Sequence, residues 1–187
     1  MPDRRTHLLD AAVELLGTRG ARGLTHRAVD EVARCPLGST SNHFRTRAAL
    51  LDGVVGRFVE RQQAGWDSVA EAIRPRSAGD LAVVLADLAH RAVGPDRHVT
   101  MARHVLLVEG ALDPHLSARL ASEGSRLRAW FEQVLRSVGS SDPALHTPIV
   151  QNVWTGIVLH QLANNRPAFD PLPQLAALLA ALVPEET

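Results

Sequence analysis

The stretch LTHRAVDEVARCPLGSTSNHFRTRAALL, residues 24–51, decides the fold. It holds two short helical patterns and then the start of a much longer helix. Thr25 is placed to N-cap the first short helix, its hydroxyl oxygen accepting an amide proton from the first turn. Ala28, Val29, Val32 and Ala33 recur at helical spacing, which sets one stripe on a core and predicts that His26, Arg27 and Asp30 face out. Pro36 disfavours helical geometry in Cys35 and suits the first position of a new helix, so Arg34-Cys35-Pro36 is the break. The second short helix, roughly Leu37 to His43, is mostly Gly, Ser, Thr, Asn and His. A helix this short and polar gains little from burial, whereas these side chains can hydrogen-bond base edges or phosphate oxygens. Two helices across a tight turn, the second of them polar, make the helix-turn-helix layout, in which the second helix enters the major groove of DNA.

These residues resemble the N-terminal DNA-binding domain of the tetracycline repressor (TetR) family of transcriptional regulators. The matching features are Thr25 opening one helix, Gly38 opening the recognition helix, His43-Phe44, and Arg47-x-x-Leu50-Leu51 starting the long helix. Arg34 stands where the family usually has a turn glycine, Pro36 where it usually has a capping serine, and Ser41 and Asn42 where it often carries tyrosine. The resemblance implies a helix-turn-helix domain at residues 1–46 and a helical effector-binding and dimerisation domain at residues 47–187. It also implies a ligand-responsive regulator, a repressor that binds a palindromic operator as a homodimer and is released by a small molecule.

Composition narrows the alternatives. All 20 residues counted as Lys plus Arg are Arg, which excludes a phosphate-loop lysine, a lysine Schiff base and a lysine nucleophile. A single cysteine, Cys35, excludes an internal disulfide framework and a four-cysteine metal site, and suits a reducing cytoplasm. Net charge is zero, yet residues 1–50 hold eight Arg against five Asp or Glu, so the excess of positive charge sits at one end. The start of the chain lacks the apolar run of a signal peptide, and Leu175 to Val183 is too short to span a bilayer; a cytoplasmic protein with no membrane partner is expected.

The remainder reads as helix throughout. Arg4 to Thr18 carries the stripe Leu8, Ala12, Leu15 and Leu16, and Gly17, Gly20 and Gly23 mark its end. From Arg47 an apolar pattern continues to Arg74-Pro75, long enough to carry a displacement from one domain to the other. Further helices are expected at about Gly79–Val93, Arg97–Leu112, Pro114–Val138, Pro143–Asn164 and Pro171–Val183, separated by Gly, Pro and Asp. No alternating β-branched run appears, so the expectation is all-α. Nine helices, three in the helix-turn-helix domain and six beyond it, again look like the arrangement of the TetR family. The last two helices are apolar nearly all round, which points to a subunit interface through Ile149, Val153, Ile157, Leu175, Leu178, Leu179 and Leu182.

No catalytic constellation is present: Glu-x-x-His, Gly-x-Ser-x-Gly and His-Glu-x-x-His are all missing. The scattered histidines do not place three ligands on one helical face, so neither an enzyme, a cofactor nor a metal is expected. The candidate DNA contacts are Arg4, Arg5, Thr25, His26, Arg27, Ser39, Thr40, Ser41, Asn42, His43 and Arg47. Candidate effector contacts, chosen as polar or aromatic residues of the helical body, are Phe58, Gln62, Trp66, His104, Glu109, Trp130, Trp154 and Gln161. The competing class is a helical-bundle enzyme or small-molecule carrier without DNA binding, separated from a regulator by whether the protein shifts its own upstream DNA.

Overall fold

The computed structural model describes residues 3–184 except 73, with the side chains of 62–72, 123 and 126 also set aside. Ten helices account for the ordered elements, and no strand occurs among the described residues. In chain order they are α1 (Arg4–Gly23), α2 (His26–Val32), α3 (Ser39–His43), α4 (Arg47–Ala72), α5 (Ala78–Val93), α6 (Arg97–Leu112), α7 (Pro114–Glu123), α8 (Ser125–Ser137), α9 (Pro143–Asn164) and α10 (Leu172–Leu182).

Most boundaries follow from local chemistry. Asp3, Thr25, Ser77, Asp113 and Asp142 each accept an amide proton at the start of a helix, and Pro114 and Pro143 occupy first-turn positions that need no donor. The span expected as one helix from Pro114 to Val138 is two. Gly124 ends α7, its amide donating to Leu120 O, and the chain restarts at Ser125. α1 runs further than expected but contains a sharp bend at Gly20, whose φ of 67° and ψ of −175° suit glycine alone.

The chain forms two compact units, residues 1–65 with 97–124, and residues 66–96 with 125–187. In the first, Leu8, Leu15, Leu16, Val29, Phe44, Leu50 and Val54 share one buried cluster with Ala102, Leu106 and Leu116 from α6 and α7. α1 and α6 meet at Gly17, where an added Cβ would stand 1.9 Å from His98 O; only glycine lets the backbones approach this closely. Arg57 donates twice to the Asp10 carboxylate, at 2.8 and 3.0 Å, tying α4 to α1.

In the second unit, Leu81, Leu85, Phe131, Leu135, Val150, Leu175 and Leu179 form the core. Trp154 Nε1 donates to Leu85 O at 3.0 Å and pins α9 to α5. Leu175 and Leu179 were expected at a subunit interface, but they are fully buried within their own chain and are core residues. On the last two helices the large apolar side chains that do reach solvent are Leu145, Val153 and Leu159 of α9 and Leu172 of α10, and Val83 of α5 is exposed as well. Ile149, Ile157, Leu178 and Leu182 are half-buried.

Candidate nucleic-acid interface

α2, the turn and α3 are held in register by one carboxylate. Asp30 is almost completely buried and accepts from Gly38 N at 2.8 Å, from Thr40 N at 2.7 Å and from the Thr40 hydroxyl. Burial alone would raise its pKa, but the Thr40 hydroxyl, the Thr40 and Gly38 amides and the positive charge of His26 outweigh it and hold the carboxyl below its ordinary range. The expectation that Asp30 faces out is therefore corrected: it caps the next helix from inside. Thr40 is corrected with it, because a buried residue whose hydroxyl donates to Asp30 is not presented to a base edge.

The turn itself is a tight helix ending. Cys35 N donates to Asp30 O at 2.9 Å and Arg34 N to Glu31 O at 3.1 Å, while Arg34 takes a left-handed φ of 52°. This pairing is the six-to-one and five-to-two pattern that favours glycine at the left-handed position. Gly38 then takes φ of 92° just before α3.

Several other candidates already have partners within the chain. His26 Nε2 donates to Phe44 O at 2.6 Å, so the ring is half-buried and does not simply face out. Arg47 donates to Leu24 O at 2.8 Å and Ala21 O at 2.9 Å, and stands 3.9 Å from Glu109. Its guanidinium closes the turn between α1 and α2. Ser39 is half-buried and its hydroxyl donates to Pro36 O at 2.7 Å, while Thr25 accepts from Ala28 N at 3.2 Å and remains exposed.

The remaining candidates face solvent. Ser41, Asn42 and His43 of α3 are exposed, as are Arg4, Arg5, Arg27 and, immediately after α3, Arg45. Arg5 lies over the Phe44 ring at 5.3 Å, and Arg4 donates to Cys35 Sγ at 3.4 Å, so both arginines border the helix-turn-helix pair. Sequence reasoning missed Arg45 and the exposed apolar Leu37, at 78% exposure; both adjoin α3, and position alone could have found them. The polar side chains among them offer donors to phosphates and donors and acceptors to bases.

The effector candidates are not drawn into one site. Phe58 is core in the first unit, where His104 and Glu109 line an open cleft with Arg19 and Arg22. In the second unit Trp130 and Trp154 are half-buried against one core, and Gln161 Nε2 donates to Arg166 O at 2.9 Å. Gln62 and Trp66 lie outside the described side chains. Among the described residues no group of His, Cys, Asp and Glu could hold a metal, and no helix is long and apolar enough to cross a membrane.

The family described as "Tetracyclin repressor-like, C-terminal domain" matches residues 76–185. A solved structure of a TetR-family member from Streptomyces coelicolor A3 is similar, at 27% identity and a TM-score of 0.72, covering 98% of this chain and 99% of that one. The multidrug binding protein EbrR complexed with imidazole is 25% identical, with a TM-score of 0.71, over 100% of this chain and 98% of that one. The same protein complexed with ethidium is 27% identical, with a TM-score of 0.70, over 97% and 99%. No match was found among curated protein sequences. The fold, its helix-turn-helix head and the matched C-terminal region place the molecule among DNA-binding regulators and not among enzymes. The chain belongs to the tetracycline repressor-like family of transcriptional regulators.

Proposed function

We propose that this regulator is a repressor that binds a palindromic operator as a homodimer and is released by an aromatic small molecule. The observation that carries the reading is the exposed edge of Ser41, Asn42 and His43, flanked by Arg4, Arg5, Arg27 and Arg45, on a helix fixed by buried Asp30. Asn42 is the base reader, since its amide can pair two-pronged with adenine, and the arginines take phosphates. Asn42→Ala should cost about 1–3 kcal/mol on the operator and change base preference at one position per half-site. Competition binding against random DNA checks this, and equal loss on both would remove the assignment.

The effector reading rests on the half-buried Trp130 and Trp154 on one core of the second unit, and on the ethidium and imidazole held by EbrR. Indole faces suit a planar cation. α4 begins in the first unit and its last residues belong to the second, so it is the proposed carrier of the signal. A coupling of about 1–3 kcal/mol would lower operator affinity roughly 5- to 150-fold at saturation, and operator would weaken ligand binding by the same factor. Ethidium titrated against the protein alone tests the site. Tight binding that leaves operator affinity unmoved would remove the coupling.

A further inference from the structure

In helix-turn-helix proteins the first residues of the second helix reach the base edges, so the side chains at the leading end of α3 decide what can be read there. Of the four residues 37–40, three are committed within the chain or lack a side chain. Gly38 has none, the Ser39 hydroxyl donates to Pro36 O at 2.7 Å, and the Thr40 hydroxyl is buried against Asp30. The fourth is Leu37, which is 78% exposed. A lone leucine on a protein surface is ordinary; one at the leading end of a groove helix is not.

The chain holds this corner in one shape. Ser39 N donates to Pro36 O at 3.1 Å, and Gly38 has φ of 92° and ψ of −9°, which makes a type II turn with Leu37 as its second residue. Asp30 anchors the turn through the Gly38 and Thr40 amides. A Cβ added to Gly38 would meet nothing within 4 Å, so no described residue crowds the corner. With the backbone fixed, only the rotamer freedom of one leucine is lost when its side chain meets a partner.

We propose that Leu37 reads the 5-methyl group of a thymine in the major groove. Among the features that base pairs present there, this methyl is the apolar one; the others are hydrogen-bond donors and acceptors, which a leucine cannot meet. Another base at that place would set Leu37 against a polar edge and give up the contact. The assignment rests on the groove-binding role proposed for α3 and goes beyond Asn42. Asn42 selects by hydrogen bonds, Leu37 by an apolar contact at the other end of the helix.

The test begins with the full chain selecting duplexes from a random-sequence pool. Each thymine of the selected duplex is then replaced in turn by uracil, which keeps every hydrogen bond and loses only the methyl. At one thymine per half-site the exchange should weaken wild-type binding by about fourfold, the equivalent of one buried methyl group. Leu37→Ala, at an exposed position, should bind the selected duplex about five- to tenfold more weakly and bind random DNA as before. The variant should also no longer distinguish uracil from thymine at that place. Uracil that costs wild type and variant the same at every thymine would overturn the proposal. So would a Leu37→Ala loss that is equal on selected and random DNA, the mark of packing on the sugar-phosphate backbone. A base preference that shifts with Asn42→Ala while Leu37→Ala changes nothing would overturn it and leave the groove role of α3 standing. Selection that enriches no sequence would remove both.

Discussion

Asp30 orders three donors that would otherwise compete for water, two of them backbone amides at the start of α3. An asparagine there would turn an amide group toward those donors and give up the charge, so Asp30→Asn should cost about 2 kcal/mol at neutral pH. Its folded-state pKa is lowered, so the stabilisation is fully present above the ordinary carboxylate range and is lost as pH falls from that range through the lowered folded-state value. The gap between thermal melts of the two proteins should begin to close as pH falls below about 4; a gap unchanged further into acid would show that packing, not charge, sets the difference. Arg34 makes the opposite case. It holds a left-handed φ of 52° with a side chain that disfavours it, so Arg34→Gly should leave stability unchanged or raise it by up to about 1 kcal/mol in a denaturant melt. The glycine missing from the turn was legible at this position, because only one residue can occupy the left-handed step. The role of Asp30 was not. Helical periodicity assigned it to the outer face, and only the fold-back of the turn brings Gly38 and Thr40 over it.

Among the elements, capping chemistry carried the reading furthest. α6 and α9 have the bounds their Pro, Asp and Gly neighbours imply, because those residues act through the chain next to them. The bend in α1 and the break between α7 and α8 were harder to see. Gly17, Gly20 and Gly23 lie close together, and nothing local tells which one turns the backbone. The structure settles on Gly20, whose conformation excludes a side chain although the space around it is empty. Gly20→Ala should therefore destabilise by about 1–3 kcal/mol through backbone strain alone. Since the bend precedes the carbonyls that Arg47 holds, the same variant should also weaken DNA binding. A melt unchanged from wild type would mean that the turn tolerates another path.

For the whole molecule, the apolar C-terminal helices were legible as too apolar, but not which side faced out. An apolar stripe signals burial without saying against what, and Leu175 and Leu179 turn out to serve their own chain. Leu145, at 56% exposure, Val153, at 36%, Leu159 and Leu172 are the side chains of these two helices left for a partner. Gly156 on α9 has no neighbour within 4 Å of where a Cβ would sit, so that part of the helix is open to close approach. Two variants separate these roles. Val153→Arg should give a folded monomer in light scattering, with operator affinity lost, whereas Leu179→Arg should fail to fold, because a charge enters a dry core. A dimer that survives Val153→Arg would move the interface away from α9.

The interweaving of the first unit reaches further than stability. Residues 97–124 share a core with residues 1–65, although 31 residues of the other unit separate them in the chain. A recombination event that exchanged only the first 65 residues would part Leu8, Leu16 and Val54 from the Ala102, Leu106 and Leu116 they were selected with. New DNA specificity in this lineage is thus more readily acquired by point changes on the exposed face of α3 than by shuffling heads. An engineer grafting this head onto another body would have to carry α6 and α7 along as luggage.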